Sequence, residues 1–194
     1  MNPDISWWLI PLWMMLFVLD DYLTVLIAKR YDKQDPHLIE FEGGYELTPQ
    51  YKDEIAHHRL FGPAFLRSLI IYTIALSLVW YIVSLEWLPA AFFQFFIGAT
   101  ILLSASVNVR HAQNLVFFGL IPVPEHPSGK ISYPSSFSYR GSAVGFLAFG
   151  TLYLGLAILM RSWFFSGGAF ACGVVGMSHW IYSNRAVNAD PAAG

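Results

Sequence analysis

The chain is poor in charge and almost without cysteine. Lys, Arg, Asp and Glu together make up 12% of its 194 residues, about half the share of a soluble domain. With 56% hydrophobic residues and a mean hydropathy of +0.49, a disordered chain and a soluble globular domain are both excluded. The 11 basic and 13 acidic residues nearly cancel. There is then no basic footprint for nucleic acid, and no nucleic-acid partner is expected. The single cysteine, Cys172, excludes an intramolecular disulfide and a cysteine-rich metal site. Residues 1–6 hold no Lys or Arg. A signal peptide needs a basic n-region, so the first apolar segment is expected to stay in the membrane.

Chemical signatures are missing too. The sequence has no HExxH helix and no GxSxG nucleophile elbow. No Gly-rich loop precedes Gly129-Lys130 to make a phosphate-binding P-loop. No lysine lies deep in an apolar run, and no internal repeat is visible.

What is present is a series of long apolar runs. A spanning helix needs about 20 of them in a row. Five segments qualify: 7–28, 65–83, 88–109 (running on towards Phe118), 142–160 and 162–182. Only Arg161 separates the last two. One helix from Ser142 to Tyr182 would be ~60 Å long, about twice the hydrocarbon core, so the chain must turn. A turn at Arg161 and Ser162 is preferred over Ser166-Gly167-Gly168, which leaves the fifth span too short. The expected fold is an all-α membrane protein, a single polytopic domain of five transmembrane helices with a small cap from loops 29–64 and 110–141.

Basic residues orient it, because cytoplasmic loops carry excess Lys and Arg. Lys29, Arg30, Lys33, Lys52 and Arg59 fall in the first loop, and Arg67 at the first-loop end of the second span. Arg110, Lys130 and Arg140 fall in the third loop, and Arg185 in the tail. Only Arg161 falls on the other side. The N-terminus is therefore expected outside and the C-terminus in the cytoplasm, in a bacterial inner (plasma) membrane. Trp7, Trp8, Trp87, Trp163 and Trp180 sit near predicted ends, where the amphipathic ring favours the headgroups. Trp13 and Trp80 sit deeper and are expected to pack.

Small residues recur at helical spacing: Gly141 and Gly145, then Gly168, Cys172 and Gly176. Such stripes let helices approach closely. They serve either packing within the chain or the face of a homodimer or partner subunit.

In the first loop, Leu38 to Glu42 alternates apolar and acidic before Gly43-Gly44, a β-hairpin signal. A three-residue loop, 43–45, sets Glu42 opposite Glu46 and Phe41 opposite Leu47, with Glu40, Glu42 and Glu46 on one face. Those carboxylates form a solvated surface or an oxygen-rich cation site. Thr48-Pro49 reads as the start of a helix reaching about Leu60. Tyr51, Ile55 and His58 lie on one stripe, with Lys52, Asp53 and Glu54 off it, which suits a short helix lying on the membrane surface or on the bundle. His57 and His58 are adjacent and are expected to be exposed. In the proline-rich third loop, Ile131, Tyr133, Phe137 and Tyr139 suggest short extended segments.

The most informative feature is polar. Asp21 lies eight residues before Lys29, ~12 Å inside at 1.5 Å per residue. A mid-membrane charge costs roughly 2.5–3.5 kcal/mol, and Asp20 adds a second. Thr24 shares the Asp20 stripe. Arg67, Asn108, Arg110, His111, Asn114 and His179 lie at comparable depth, and the odd-numbered spans carry most of them to one leaflet. Three readings follow. The first is an ion-pair network joining Asp20 or Asp21 to Arg67 or Arg110. The second is a metal, proton or ligand site. Its metal candidates are Asp20, Asp21, His111 and His179, a carboxylate–imidazole set suited to a divalent metal, with Glu42 and Glu46 folding over. The third is a partner interface. The expectation carried forward is an ion or small polar ligand bound at this cluster, by a carrier or an enzyme. The alternative is a non-catalytic subunit or assembly factor of a membrane complex.

Overall fold

The computed structural model describes residues 6–33, 39–41, 50–120 and 131–189. Five of its helices are long and apolar enough to cross a membrane. By length and hydropathy the chain is an integral, polytopic membrane protein. The five are α1 (Leu9–Lys33), α3 (Pro63–Ser84), α4 (Ala90–Leu120), α5 (Ser135–Met160) and α6 (Trp163–Ala189). A short helix, α2 (Lys52–Ala56), precedes α3, and two three-residue strands, β1 (Ile39–Phe41) and β2 (Ile131–Tyr133), complete the described elements.

The helices outrun the apolar segments at one end. α4 continues to Leu120, α5 begins at Ser135 and α6 reaches Ala189. At 31 residues, α4 is ~46 Å long, well beyond a ~30 Å hydrocarbon core. Hydropathy marks where lipid stops, whereas a helix stops where the backbone is broken. Pro134 is such a break: its extended backbone precedes the first turn of α5. For the same reason Phe137 and Tyr139 are helical rather than extended. Pro63 occupies the first turn of α3, where its missing N–H costs nothing. At the opposite end the connections are tight. Arg161, left-handed at φ 49°, and Ser162 alone join α5 to α6, the turn that the length argument requires.

α4 is the central helix. On one side Phe93, Ile97 and Ile101 pack with Ile10 and Trp13 of α1 and Leu76 and Val83 of α3. On the other, Leu102, Leu103 and Val107 pack with Phe146 and Tyr153 of α5 and Cys172 of α6. α3 is peripheral: Phe65, Leu76 and Val83 are its buried residues, while Ile70, Ile71, Ile74 and Leu78 are exposed. Trp13 is buried and Trp80 packs on the same cluster, whereas Trp7, Trp8, Trp87 and Trp163 are exposed.

Lipid gives helices no hydrophobic reason to associate, so small residues and close contact decide the packing. α4 and α6 cross at Gly98 and Gly167. A Cβ at Gly98 would fall on the Phe164 carbonyl, and one at Gly167 on the Phe95 carbonyl. Gly168 lies against Leu102, Gly176 against Leu147 and Gly145 beside Arg110, all within the chain, while Gly141 has nothing within 4 Å.

The expected hairpin falls partly outside the described residues. Residues 39–41 are extended, and they pair in parallel with β2, Ile39 opposite Ile131 and Phe41 opposite Tyr133. The return strand, with Glu42 and Glu46, lies outside the described residues, as do Thr48 and Pro49. The described helix after it is shorter than predicted. α2 ends at Ala56, and His58 and Phe61 adopt left-handed backbone, φ 52° and 55°. Tyr51 and Ile55 do pack on the bundle, against Val25 and Ala28 of α1.

Candidate functional site

Most hydroxyls in the spans satisfy themselves. Thr73, Thr151 and Ser178 donate to carbonyls one turn back, at 2.7, 2.9 and 2.8 Å, the usual resort of Ser and Thr in an apolar helix. Bonds between helices therefore stand out: most of them involve α4, and two join α5 to α6.

Leu16, Asp20 and Thr24 follow each other at four-residue steps on α1, and Asn108 and His111 at a three-residue step on α4. These spacings place each set on one helix face, and the two faces meet. Asn108 Nδ2 donates to the Leu16 carbonyl at 2.9 Å. Thr24 Oγ1 donates to the Asp20 carbonyl at 2.8 Å. His111 Nε2 lies 3.1 Å from Thr24 Oγ1 and 3.0 Å from Asp20 Oδ1. The Thr24 proton is committed to the carbonyl, and a carboxylate oxygen stands beside Nε2. Nε2 therefore carries a proton on that side of the ring.

This seam is not self-sufficient. Asp20 Oδ1 is buried and lies within ion-pair distance of His111 Nε2, with no hydrogen bond formed. His111 Nδ1 and Asn108 Oδ1 are likewise buried and unpartnered. Asn108 is 8% exposed, so bulk water does not serve it. Leaving one such atom unpaired costs ~1–3 kcal/mol.

The other predicted site residues divide between two further places. Asp21, about 100° around α1 from Asp20, turns to the loop. Its Oδ2 accepts the Phe61 N–H at 2.9 Å. There Glu54, placed off the Tyr51–Ile55–His58 stripe by the sequence, is buried instead. Its Oε1 accepts the Ala64 N–H at 2.6 Å, and its carboxylate fills the space a Gly62 side chain would need. It caps α3 from ten residues upstream. The signal was present: an acid one short helix before a Gly-Pro helix start. His57 is exposed as expected, but His58 is only 30% exposed and pairs with Asp32 at 2.8 Å. Tyr51 donates to Ser68 at 2.9 Å, and burial pushes its phenol up from the usual tyrosine range.

On the opposite side of α4, the Arg110 guanidinium stands 4.6 Å over the Phe146 ring. His179 Nδ1 lies 2.7 Å from Ser142 Oγ, with Tyr139 and Phe146 edge-on to its ring. Asn114 is half-buried one turn beyond Arg110, and Arg67 is exposed on α3. His179 thus belongs to the α5–α6 side and His111 to the α1 side. Asp20, Asp21, His111 and His179 do not form one metal shell. Among the described residues no three His, Cys, Asp or Glu side chains come together to hold a metal ion.

Sequence reading missed one more cluster. Ser106 Oγ, fully buried, lies 3.0 Å from Tyr153 OH and 3.7 Å from Cys172 Sγ, and donates to the Leu102 carbonyl at 2.8 Å. It ties α4, α5 and α6 together. A tyrosine inside an apolar run, which needs a buried partner, was its signal.

The chain matches no family model, no curated protein and no solved structure.

Proposed function

We propose that this protein binds an ion or small polar ligand at the α1–α4 seam, with Asp20, Thr24, Asn108 and His111 as its contacts. The observation that carries the reading is the pair of polar atoms buried on that seam without a hydrogen bond, His111 Nδ1 and Asn108 Oδ1, beside the Asp20–His111 pair. Buried polar atoms in proteins are normally met by another protein group, a water or a bound ion. The orientation proposed with it is N-terminus outside, C-terminus cytoplasmic, in a bacterial inner membrane. The support is that Arg161 alone among the basic residues lies at the far end. The site then lies in the cytoplasmic leaflet, beneath a cap formed by the first and third loops.

Native mass spectrometry of the protein, released in mild detergent from its own membrane, tests the reading. A stoichiometric small adduct is expected, lost in Asp20→Asn and kept in Asp21→Asn, whose carboxylate serves the Phe61 backbone. An adduct indifferent to Asp20 refutes the site. A larger assembly without a small adduct refutes it in favour of a non-catalytic subunit or assembly factor. A bare monomer refutes it as well.

A further inference from the structure

We infer that residues 51–62 form a lid, carried on α3, that closes on and lifts off the first-loop end of α1 as one unit. The inference stands apart from the binding role proposed above and concerns what covers the neighbouring face of α1.

The seat of the lid is a single stripe. Asp21, Val25, Ala28 and Asp32 follow each other on α1 at steps of four, three and four residues, which puts them on one face. Ile55 packs on Val25 and Ala28 in the middle of that stripe, and all three are buried. An acid holds the lid at each end. Asp32 Oδ2 lies 2.8 Å from His58 Nε2, and Asp21 Oδ2 accepts the Phe61 N–H at 2.9 Å. The bonds to α3 are separate from these. Tyr51 donates to Ser68 at 2.9 Å, and Glu54 accepts the Ala64 N–H at 2.6 Å, both in the first turns of α3. The Phe61 ring lies 5.7 Å from that of Phe65. Leaving α1 therefore breaks two polar contacts and one apolar one, while α2 keeps its attachment to α3.

Backbone strain works against closure. His58 and Phe61 have φ 52° and 55°, the left-handed region that a residue with a Cβ resists. Such strain persists only where surrounding contacts hold it. The two strained residues are the same two that the acids of α1 hold. Against the strain stand one buried isoleucine, one backbone hydrogen bond and the His58–Asp32 pair. Asp32 is 55% exposed, so solvent weakens that pair. A segment held so lightly belongs to the part of a fold that opens locally, ahead of the whole. Closed, the lid covers Val25, Ala28 and one oxygen of Asp21. Asp20 and Thr24 sit one position back, about 100° around the helix. Opening thus bares the face of α1 that adjoins the α1–α4 seam.

The test uses the full-length protein in detergent, carrying Ala28→Cys under the lid. The native Cys172 is buried in the bundle and reports global opening in the same sample. The rate of reaction with a water-soluble maleimide is followed by mass spectrometry, and it tracks the open population when closing is fast. The introduced thiol is expected to react while Cys172 does not. Asp32→Asn should speed its reaction about threefold, the effect of losing a partly exposed ion pair. Phe61→Asn should slow it about fivefold, because Asn tolerates the left-handed backbone and keeps the N–H that Asp21 accepts. Hydrogen exchange of the segment 55–62, in chains with the native Ala28, gives a second readout and should rank the variants in the same order. Reaction of both thiols at one rate overturns the inference, because the segment then opens only with the bundle. Faster or unchanged reaction in Phe61→Asn overturns it as well, because strain then does not oppose closure. So does a hydrogen-exchange order that contradicts the thiol order.

Discussion

Gly62→Ala should destabilise this protein, yet stabilise it once Glu54 is removed. Gly62 has φ −60° and ψ 166°, an extended conformation open to any residue, so alanine brings no backbone strain. Its methyl group would instead fall on the Glu54 carboxylate, which accepts the Ala64 N–H at 2.6 Å. Displacing that carboxylate removes a charge-assisted bond to the first turn of α3, a loss of ~1.5–3 kcal/mol. Against this stands a gain of about 0.4–1 kcal/mol from the reduced freedom of the unfolded chain. The net is a loss of roughly 0.5–2.6 kcal/mol. In Glu54→Ala the bond is already gone and the space is open. Gly62→Ala should there be neutral or stabilising by about 0.4–1 kcal/mol. The two positions should accordingly couple by ~1.5–3 kcal/mol in a double-mutant cycle. Denaturant titration in detergent gives the four stabilities, and trypsin cleavage at Lys52 and Arg59 reports release of the loop. Equal destabilisation by Gly62→Ala in both backgrounds would refute the capping argument.

Three further outcomes follow from the packing and the topology. Gly167→Leu places a large side chain on the Phe95 carbonyl at the α4–α6 crossing. Overpacking costs ~1–3 kcal/mol or more, so fluorescence-detected size exclusion should show a reduced monodisperse fraction, whereas Gly141→Leu, in open space, should not. Ser106→Ala and Tyr153→Phe each remove the buried bond at 3.0 Å. Each should cost about 1 kcal/mol, and the double variant should cost less than the sum; additive losses in thermal unfolding would show that the two hydroxyls do not act on each other. Asp53, 84% exposed in the first loop, tests the orientation. With Cys172 buried and silent, Asp53→Cys should react with a membrane-impermeant maleimide only after the inner membrane is opened. Labelling in intact cells would invert the proposed topology.

Much of the architecture was legible because lipid imposes simple demands. Every spanning backbone must satisfy itself, so about 20 apolar residues mean a helix. Segment length alone placed the α5–α6 turn at Arg161. The candidate site was half legible. The sequence marked Asp20, Thr24, Asn108 and His111 as polar groups at one depth. The same depth also held Asp21, Arg67, Arg110 and His179, and sequence spacing cannot say which face of α4 meets which neighbour.

The sequence alone determined the number of helices long and apolar enough to span and the tight turn between the last two, because these depend on hydropathy and chain length. The tertiary structure decided the partners. It separated His111 from His179 by putting α1 and α5–α6 on opposite sides of α4. It sent Asp20 to an imidazole and Asp21 to a backbone N–H, and it drew Glu54 out of the expected exposed face to cap α3. It also gave Gly168 and Gly176 to packing within the chain. These outcomes depend on how helices rotate about their axes. In a bilayer, that rotation is fixed by close contacts such as Gly98 on Phe164 and by a few polar bonds between helices, not by the hydrophobicity that makes the helices.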